Sequence, residues 1–368
     1  MGTVRSACSP SSPVLGGPLR RGGAHVPRIP ALRHPCFWAL AVLFGVLATP
    51  ALAQPDPSGI EFVRVGSPGN RATLPSETPL DPDRPRGAVS YEFRIAKEPL
   101  AASEYLVFAN AYGPHVRDLG TALQVASNWL DMFPQPDGSW RFGLREEWSN
   151  VAAMTDFEMA ARFVNWLHND HRPERWAFEG GVYDTSTFGH TIPPPHQMTP
   201  APGARYWLPT VDELTKAVYY DPAKGGPGVE GYWAYPNASD VPLVAGLPGT
   251  GAETIGDTLI GTNRRIGDWA LGQYPATQTP WGLLDVSGTV PTLTATLMSP
   301  HDDEVFVVGS FAQETLYQYH DHIAQGGGDA LWFGLGGAIR VAAAVPSPSV
   351  LSALMLLLVV GPRRRSTP

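Results

Sequence analysis

The chain has 368 residues, with 26 Lys and Arg against 34 Asp and Glu, a formal net charge of −8 and only 16% charged residues. Its dense basic groups lie at the two ends alone, which argues against nucleic acid as a partner, and its 38 Pro and 39 Gly imply many turns and irregular connections. The 2 cysteines, Cys8 and Cys36, both precede a predicted cleavage site, so the exported chain would hold neither a disulfide nor a thiol for nucleophilic or soft-metal chemistry.

Residues 1–53 read as a secretory signal peptide with a long n-region. Arg33-His34-Pro35 leads into the apolar run Cys36 to Leu52, which closes on Ala51-Leu52-Ala53. Basic flank, apolar stretch and small residues are what signal peptidase needs, and cleavage is expected after Ala53. Residues 54–87 carry Pro55, Pro57, Pro68, Pro75, Pro79, Pro82 and Pro85, and read as an extended linker or an edge segment. Val89 to Ile95 alternates as a strand does. Leu100 to Ala111 predicts a helix with Tyr105, Phe108 and Ala109 on one side. Thr155 and Glu158 have capping-box spacing. The helix after them stacks Met159, Phe163 and Leu167 on one face and sets Arg162 and Asn165 on the other. Thr210 and Glu213 repeat the box before the stripe Leu214, Ala217 and Val218, and Pro222 ends that helix. Gly225 to Gly261 reads as loop. Trp281 to Val290 and Val305 to Phe311 read as short strands, and Ile339 to Val341 as a closing strand. A few helices among loops and short strands predict an α+β fold.

The chain finishes on Pro346-Ser347-Pro348, the apolar run Val350 to Gly361, and Arg363-Arg364-Arg365. Short Pro motif, hydrophobic segment and terminal basic cluster together resemble the PEP-CTERM sorting signal of Gram-negative bacteria, with Ser347 where the family has Glu. The resemblance makes residues 343–368 a sorting tail and implies an exosortase-like enzyme as partner. Val350 to Gly361 alone is too short to span a bilayer, and counting back through Ala342-Ala343-Ala344 reaches roughly the 20 residues required. The Arg cluster should stay cytoplasmic. That leaves the body outside the inner membrane, at the cell surface or in the extracellular matrix.

Between these ends, motifs follow one another in an order seen elsewhere. Tyr105-Leu106-Val107-Phe108-Ala109-Asn110-Ala111 comes first, then Met159-Ala160-Ala161-Arg162-Phe163-Val164-Asn165-Trp166-Leu167. Tyr206-Trp207-Leu208-Pro209-Thr210-Val211-Asp212-Glu213-Leu214-Thr215-Lys216-Ala217 follows, and later Thr279-Pro280-Trp281-Gly282-Leu283-Leu284-Asp285-Val286. The series resembles the formylglycine-generating enzyme, or sulfatase-modifying factor, family. It implies one domain over residues 88–342 with that family's loop-rich, C-type lectin-like α+β fold.

Departures from the family pattern weigh against its chemistry. Where relatives have Gly-Asn-Val-Trp-Glu-Trp, this chain has Gly288-Thr289-Val290-Pro291-Thr292-Leu293. Thr289 and Thr292 thus stand at the positions whose Asn and Glu help ligate a structural calcium, a poor exchange for an ion that wants carboxylates and carbonyls. No cysteine follows Ser310, so the copper-binding thiol pair of the oxidases is missing. The iron motif of the ergothioneine-synthase branch is absent too. Outside the family motifs, His320-Asp321-His322 is the most metal-like cluster. A strand there would put His320 and His322 on one face, and His301 to Glu304 could supply a third ligand. The commoner role of such a cluster is a polar surface loop. Trp129, Trp140, Trp148, Trp176 and Trp233 lie in polar or Gly/Pro-rich stretches, where they either clamp loops or form a binding surface. The expectation is an exported, membrane-sorted binding module with no catalytic residue and no cofactor, whose ligand is a glycan or extracellular polymer. The alternative is a formylglycine-generating-type oxidase or another enzyme on the same scaffold.

Overall fold

A computed structural model describes residues 56–127, 129–188, 197–256, 269–298, 304–312, 317–324, 331–332 and 336–346. The cleavage site at Ala53, the sorting residues Ser347 and Pro348 with the apolar run after them, and His301 to Asp303 lie outside these. In chain order the elements are β1 (Phe62–Val65), β2 (Phe93–Ala96), α1 (Ala102–Tyr112), α2 (Leu119–Ala126), β3 (Leu130–Pro134), β4 (Trp140–Leu144), β5 (Met154–Thr155), α3 (Phe157–His168), α4 (Trp176–Glu179), β6 (Tyr206–Trp207), α5 (Val211–Tyr219), β7 (Tyr220–Asp221), β8 (Gly231–Tyr232), β9 (Thr292–Leu297), β10 (Glu304–Val308), α6 (Tyr317–His320), β11 (Leu331–Trp332), β12 (Gly337–Ala338) and β13 (Ala342–Ala344). Few helices and many short strands, with irregular chain between, make this a mixed α/β structure consistent with α+β.

Two sheets carry the fold. One is fully antiparallel in the order β1-β2-β13-β6. The other runs β11-β10-β9-β12-β5 and is antiparallel except where β12 lies parallel to β9. The Pro-rich segment from Asp56 to Gly87 is packed in place. It supplies edge strand β1, an Arg94–Asp56 ion pair at 2.8 Å and a Tyr206 hydroxyl donating to Asp56 at 2.6 Å. The last strand matters for the tail. Ala342 and Ala343 are buried and hydrogen-bonded between β2 and β6. The body therefore continues to Ala344, and these alanines are not available to lengthen the apolar segment beyond it. Among the described residues no helix is long and apolar enough to cross a membrane.

α3 is buried from Phe157 to Leu167 on every side, so the polar face expected for Arg162 and Asn165 is an inner face. Asn165 Nδ2 donates to the carbonyls of Phe178 (3.1 Å) and Tyr183 (2.8 Å). Its Oδ1 accepts from the N–H groups of Val182 (2.9 Å) and Tyr183 (2.8 Å). All four valences of the amide are filled, which is what makes burying it tolerable. Arg162 lies over the Phe188 ring at 4.9 Å and the Tyr112 ring at 5.8 Å. On the apolar side Phe108 of α1 meets Phe163 at 5.6 Å, Trp166 at 5.8 Å and Phe178 at 6.0 Å between ring centres. Thr155 does not cap this helix. As part of β5 it pairs with Gly337 of β12, and Asp156 Oδ1 accepts the Met159 N–H at 2.8 Å instead.

α5 begins as expected. Thr210 Oγ1 accepts from Glu213 N–H at 3.2 Å, and Glu213 Oε2 accepts from Thr210 N–H at 2.8 Å. Residues 281–290 are irregular rather than a strand, and β9 starts only at Thr292. Positive φ at Gly282 (88°), Asp285 (51°) and Gly288 (81°) breaks the extended backbone a ladder needs. At Gly288 a Cβ would also stand 1.8 Å from Thr254 Oγ1. Ile339 to Val341 is the link between β12 and β13 rather than a strand.

Candidate functional site

A cleft of about 320 Å³ opens where β2 hands over to α1. Residues 96–101 form its floor with Leu271, and Gly59 to Glu61, Ser103, Glu104 and Asn150 stand around it. α1 starts here on Ala101, which has no side-chain oxygen to cap with. Glu104 compensates from inside the helix, its Oε2 accepting the Ala101 N–H at 2.8 Å. Lys97 Nζ reaches Glu61 Oε1 at 3.0 Å. Asn150 Nδ2 donates to the Leu271 carbonyl at 3.1 Å, leaving its Oδ1 for another partner.

Beneath the cleft sits Arg340, fully buried. Its Nη1 donates to the carbonyls of Ala96 (2.8 Å) and Lys97 (2.7 Å), and its Nη2 to those of Leu284 (2.7 Å) and Asp285 (3.3 Å). One guanidinium thus ties the end of β2 to the irregular 279–290 stretch. Burial lowers its pKa to about 10, opposed by the negative charges of Asp285 and Glu98. Asp285 accepts the Gly272 N–H at 2.8 Å, and burial pushes its pKa up to about 6.

The expected metal positions have other surroundings. Thr289 and Thr292 are buried, and neither Oγ1 makes a hydrogen bond. Thr292 lies in β9 opposite Val308 and Ala338. Hydroxyls enclosed by a strand pairing of apolar residues do not fit a calcium ion. His320 closes α6 and His322 follows in a turn, so the one-sided presentation expected of a strand does not arise. His322 Nδ1 accepts the Ala324 N–H at 3.0 Å, and its ring meets Tyr235 edge-on at 5.3 Å. Among the described residues no group of three or more His, Cys, Asp and Glu side chains could hold a metal ion. Ser310 Oγ accepts the Gly288 N–H at 3.1 Å and so helps close a loop.

Four of the five tryptophans are held by packing or a hydrogen bond. Trp129 lies on Trp148 at 4.4 Å and donates to the Ala152 carbonyl at 3.1 Å. Trp140 packs on the main core, and Trp233 donates to Asp221 at 3.1 Å. Trp176 is 59% exposed. None of them lines the cleft. Sequence reasoning passed over the cleft, since Glu61, Glu98 and Asn150 converge only through the fold. The one local signal was Lys97-Glu98-Pro99, a charged pair at a predicted strand-to-helix junction.

No protein-family model matches the chain, and no curated protein matches it. Among solved structures, the crystal structure of CarF is similar over 78% of this chain and 99% of its own, at 16% identity and a TM-score of 0.40. That likeness is too distant to carry an argument about fold or ligand.

Proposed function

We propose that this chain is exported, sorted at the inner membrane by its C-terminal tail, and acts as a binding module at the cell surface or in the extracellular matrix. The body is proposed to be a sulfatase-modifying-factor-like domain of C-type lectin-like fold that has given up its family's chemistry. The observation that carries the reading is the open cleft at the β2–α1 junction. It presents carboxylates, an ammonium, an amide and a hydroxyl to solvent over a floor held rigid by Arg340. These are groups for hydrogen bonding a polar ligand, and no thiol stands anywhere in the chain after Cys36 to perform the family's oxidation.

The test is a screen of the purified full chain against neutral, amino and acidic glycans and extracellular polymers. Saturable binding that Ser103→Trp abolishes is the expected result, because the indole would fill the cleft. The enzyme alternative is checked on the same preparation, by incubation with copper, oxygen, a reductant and a Cys-x-Pro-x-Arg peptide. Aldehyde formation above a metal-only control would replace the binding reading with the oxidase. The sorting proposal has its own measurement. Removal of Val345 to Pro368 leaves β13 intact and should release the protein from the membrane fraction.

A further inference from the structure

We propose that the cleft at the β2–α1 junction takes a protonated primary amine carried on a small polar ligand. The inference rests on the reading of the cleft as a binding site and names what it selects. Three carboxylates, Glu61, Glu98 and Glu104, line the cleft with one cation, Lys97. Lys97 meets Glu61 at 3.0 Å, so those two charges largely cancel. Glu104 gives Oε2 to the Ala101 N–H, and that cap leaves Oε1 unused. Glu98 makes no hydrogen bond or ion pair among the described residues. The cleft therefore carries two negative charges without a partner in contact.

The buried Arg340 cation acts on Glu98 and Asp285 together from within the fold and touches neither Glu98 nor Glu104. A neutral ligand would therefore leave both cleft carboxylates without a contact partner, and an anionic polymer would be repelled. An ammonium between Glu98 and Glu104 would gain charge-assisted hydrogen bonds, which are about twice as strong as neutral ones. Asn150 Oδ1 and the Ser103 hydroxyl remain for hydroxyl or further amine donors on the same ligand. The volume of about 320 Å³ lies near the low end of small-molecule pockets, which run from about 300 to 1,000 Å³. One or two sugar rings, or a short linear chain, fill such a space. An amino sugar of a deacetylated polysaccharide and a linear polyamine share this chemistry.

Calorimetric titration of the full chain with a glucosamine tetramer, its N-acetylated counterpart and spermidine separates the cases. The glucosamine tetramer is expected to bind at one site, with affinity falling as salt rises. The N-acetylated tetramer should bind at least about tenfold more weakly, because acetylation removes the charge. Glu98→Gln should weaken the amine by about tenfold while the chain stays folded, since Glu98 makes no hydrogen bond or ion pair of the fold and only its charge bears on Arg340. Glu104→Gln, whose amide oxygen can still cap α1, should weaken it similarly. Spermidine binding as tightly as the tetramer assigns the site to polyamines, and weaker spermidine binding assigns it to amino sugars; either result keeps the amine. Equal binding of the two tetramers, or full affinity in Glu98→Gln, overturns the amine and leaves a neutral-sugar site standing. No binding of any saccharide or amine removes the cleft as a binding site altogether.

Discussion

The surroundings of α3 and the surroundings of the cleft solve the same problem in opposite ways. Both bury a polar side chain that holds irregular backbone, Asn165 in the first and Arg340 in the second. Around Asn165 the amide is enclosed by the chain it binds, and all its own donors and acceptors are used. Around Arg340 the guanidinium is equally buried, yet the carbonyls it grips belong to residues that line an open cleft or border it. A closed network makes a rigid interior. A buried guanidinium that grips four carbonyls directly beneath an open polar surface, with its Nε left unbonded, makes a rigid platform, and platforms of that kind bind with little ordering cost.

Substitution at the two anchors should separate these roles. Asn165→Ala is expected to have the largest effect, a loss of about 4 kcal/mol, because it strips four bonds and leaves buried N–H and C=O groups bare. Urea unfolding measures it. Ligand affinity of the fraction that remains folded should be unchanged. Arg340→Met should cost about 3 kcal/mol, since it removes a buried cation but also that cation's desolvation. Unlike the first variant it should weaken cleft binding, because Ala96, Lys97 and Leu284 lose their common tie. Equal binding defects in both variants would show that the cleft is not mechanically separate from the core.

A pH titration sharpens the contrast further. Burial raises the pKa of Asp156, at the head of α3, to about 7, and of Asp285, beside the Arg340 network, to about 6. Both are carboxyls whose folded pKa lies above the unfolded value of about 3.9, so the folded state binds the proton more tightly. Their contribution to stability is fully present below the unfolded pKa. It declines as pH rises through the window to about 6 for Asp285 and about 7 for Asp156, then stays flat. The slope for each group is at most about 1.4 kcal/mol per pH unit. Asp156→Asn keeps a good cap and removes the charge, so it should stabilise the protein at pH 8 and leave it nearly unchanged at pH 4. The difference between the two profiles then belongs to Asp156 alone, and the same comparison with Asp285→Asn isolates the cleft side from the other buried carboxyls with raised pKa, Asp212 and Glu213. Thermal midpoints across pH 4–8 give the answer.

The sequence was most legible where a local rule acts alone. Thr210 and Glu213 satisfy each other within one turn, and their spacing is enough to find them. At α3 the same rule missed by one residue. Thr155 had the right spacing, but pairing with Gly337 drew it into a strand and left Asp156 as the nearest oxygen. Asn165 and Arg162 look like a solvent face by periodicity, because periodicity cannot see the chain from the end of α4 to Tyr183 that binds Asn165 or the Phe188 and Tyr112 rings against Arg162. Residues 281–290 read as strand from their apolar content, while positive φ at Gly282, Asp285 and Gly288 forbids it. The cleft was the least legible of all, since Glu61, Lys97, Glu104 and Asn150 are brought together by sheet and helix placement rather than by any motif.

The smallest expected effect is on stability and the most pointed on binding. Lys97 and Glu61 form a surface pair at 3.0 Å, with side chains 30% and 74% exposed. Pairs this open to solvent contribute about 0–1 kcal/mol, because water screens the attraction and ordering two long side chains opposes it. Lys97→Gln should therefore leave the unfolding midpoint within error of the parent. Its effect on the cleft runs the other way from any structural defect. Removing the ammonium frees Glu61 and adds one uncompensated negative charge to Glu98 and Glu104. Amine affinity should then rise a few-fold at low salt and return toward the parent value as salt is added, since the new charge acts mostly through a screened field. A platform variant that binds more tightly without becoming more stable would mark the cleft as a surface tuned apart from the core. A fall in amine affinity would place Lys97 itself among the ligand's contacts and shift the preferred ligand toward one that carries an acceptor beside its amine.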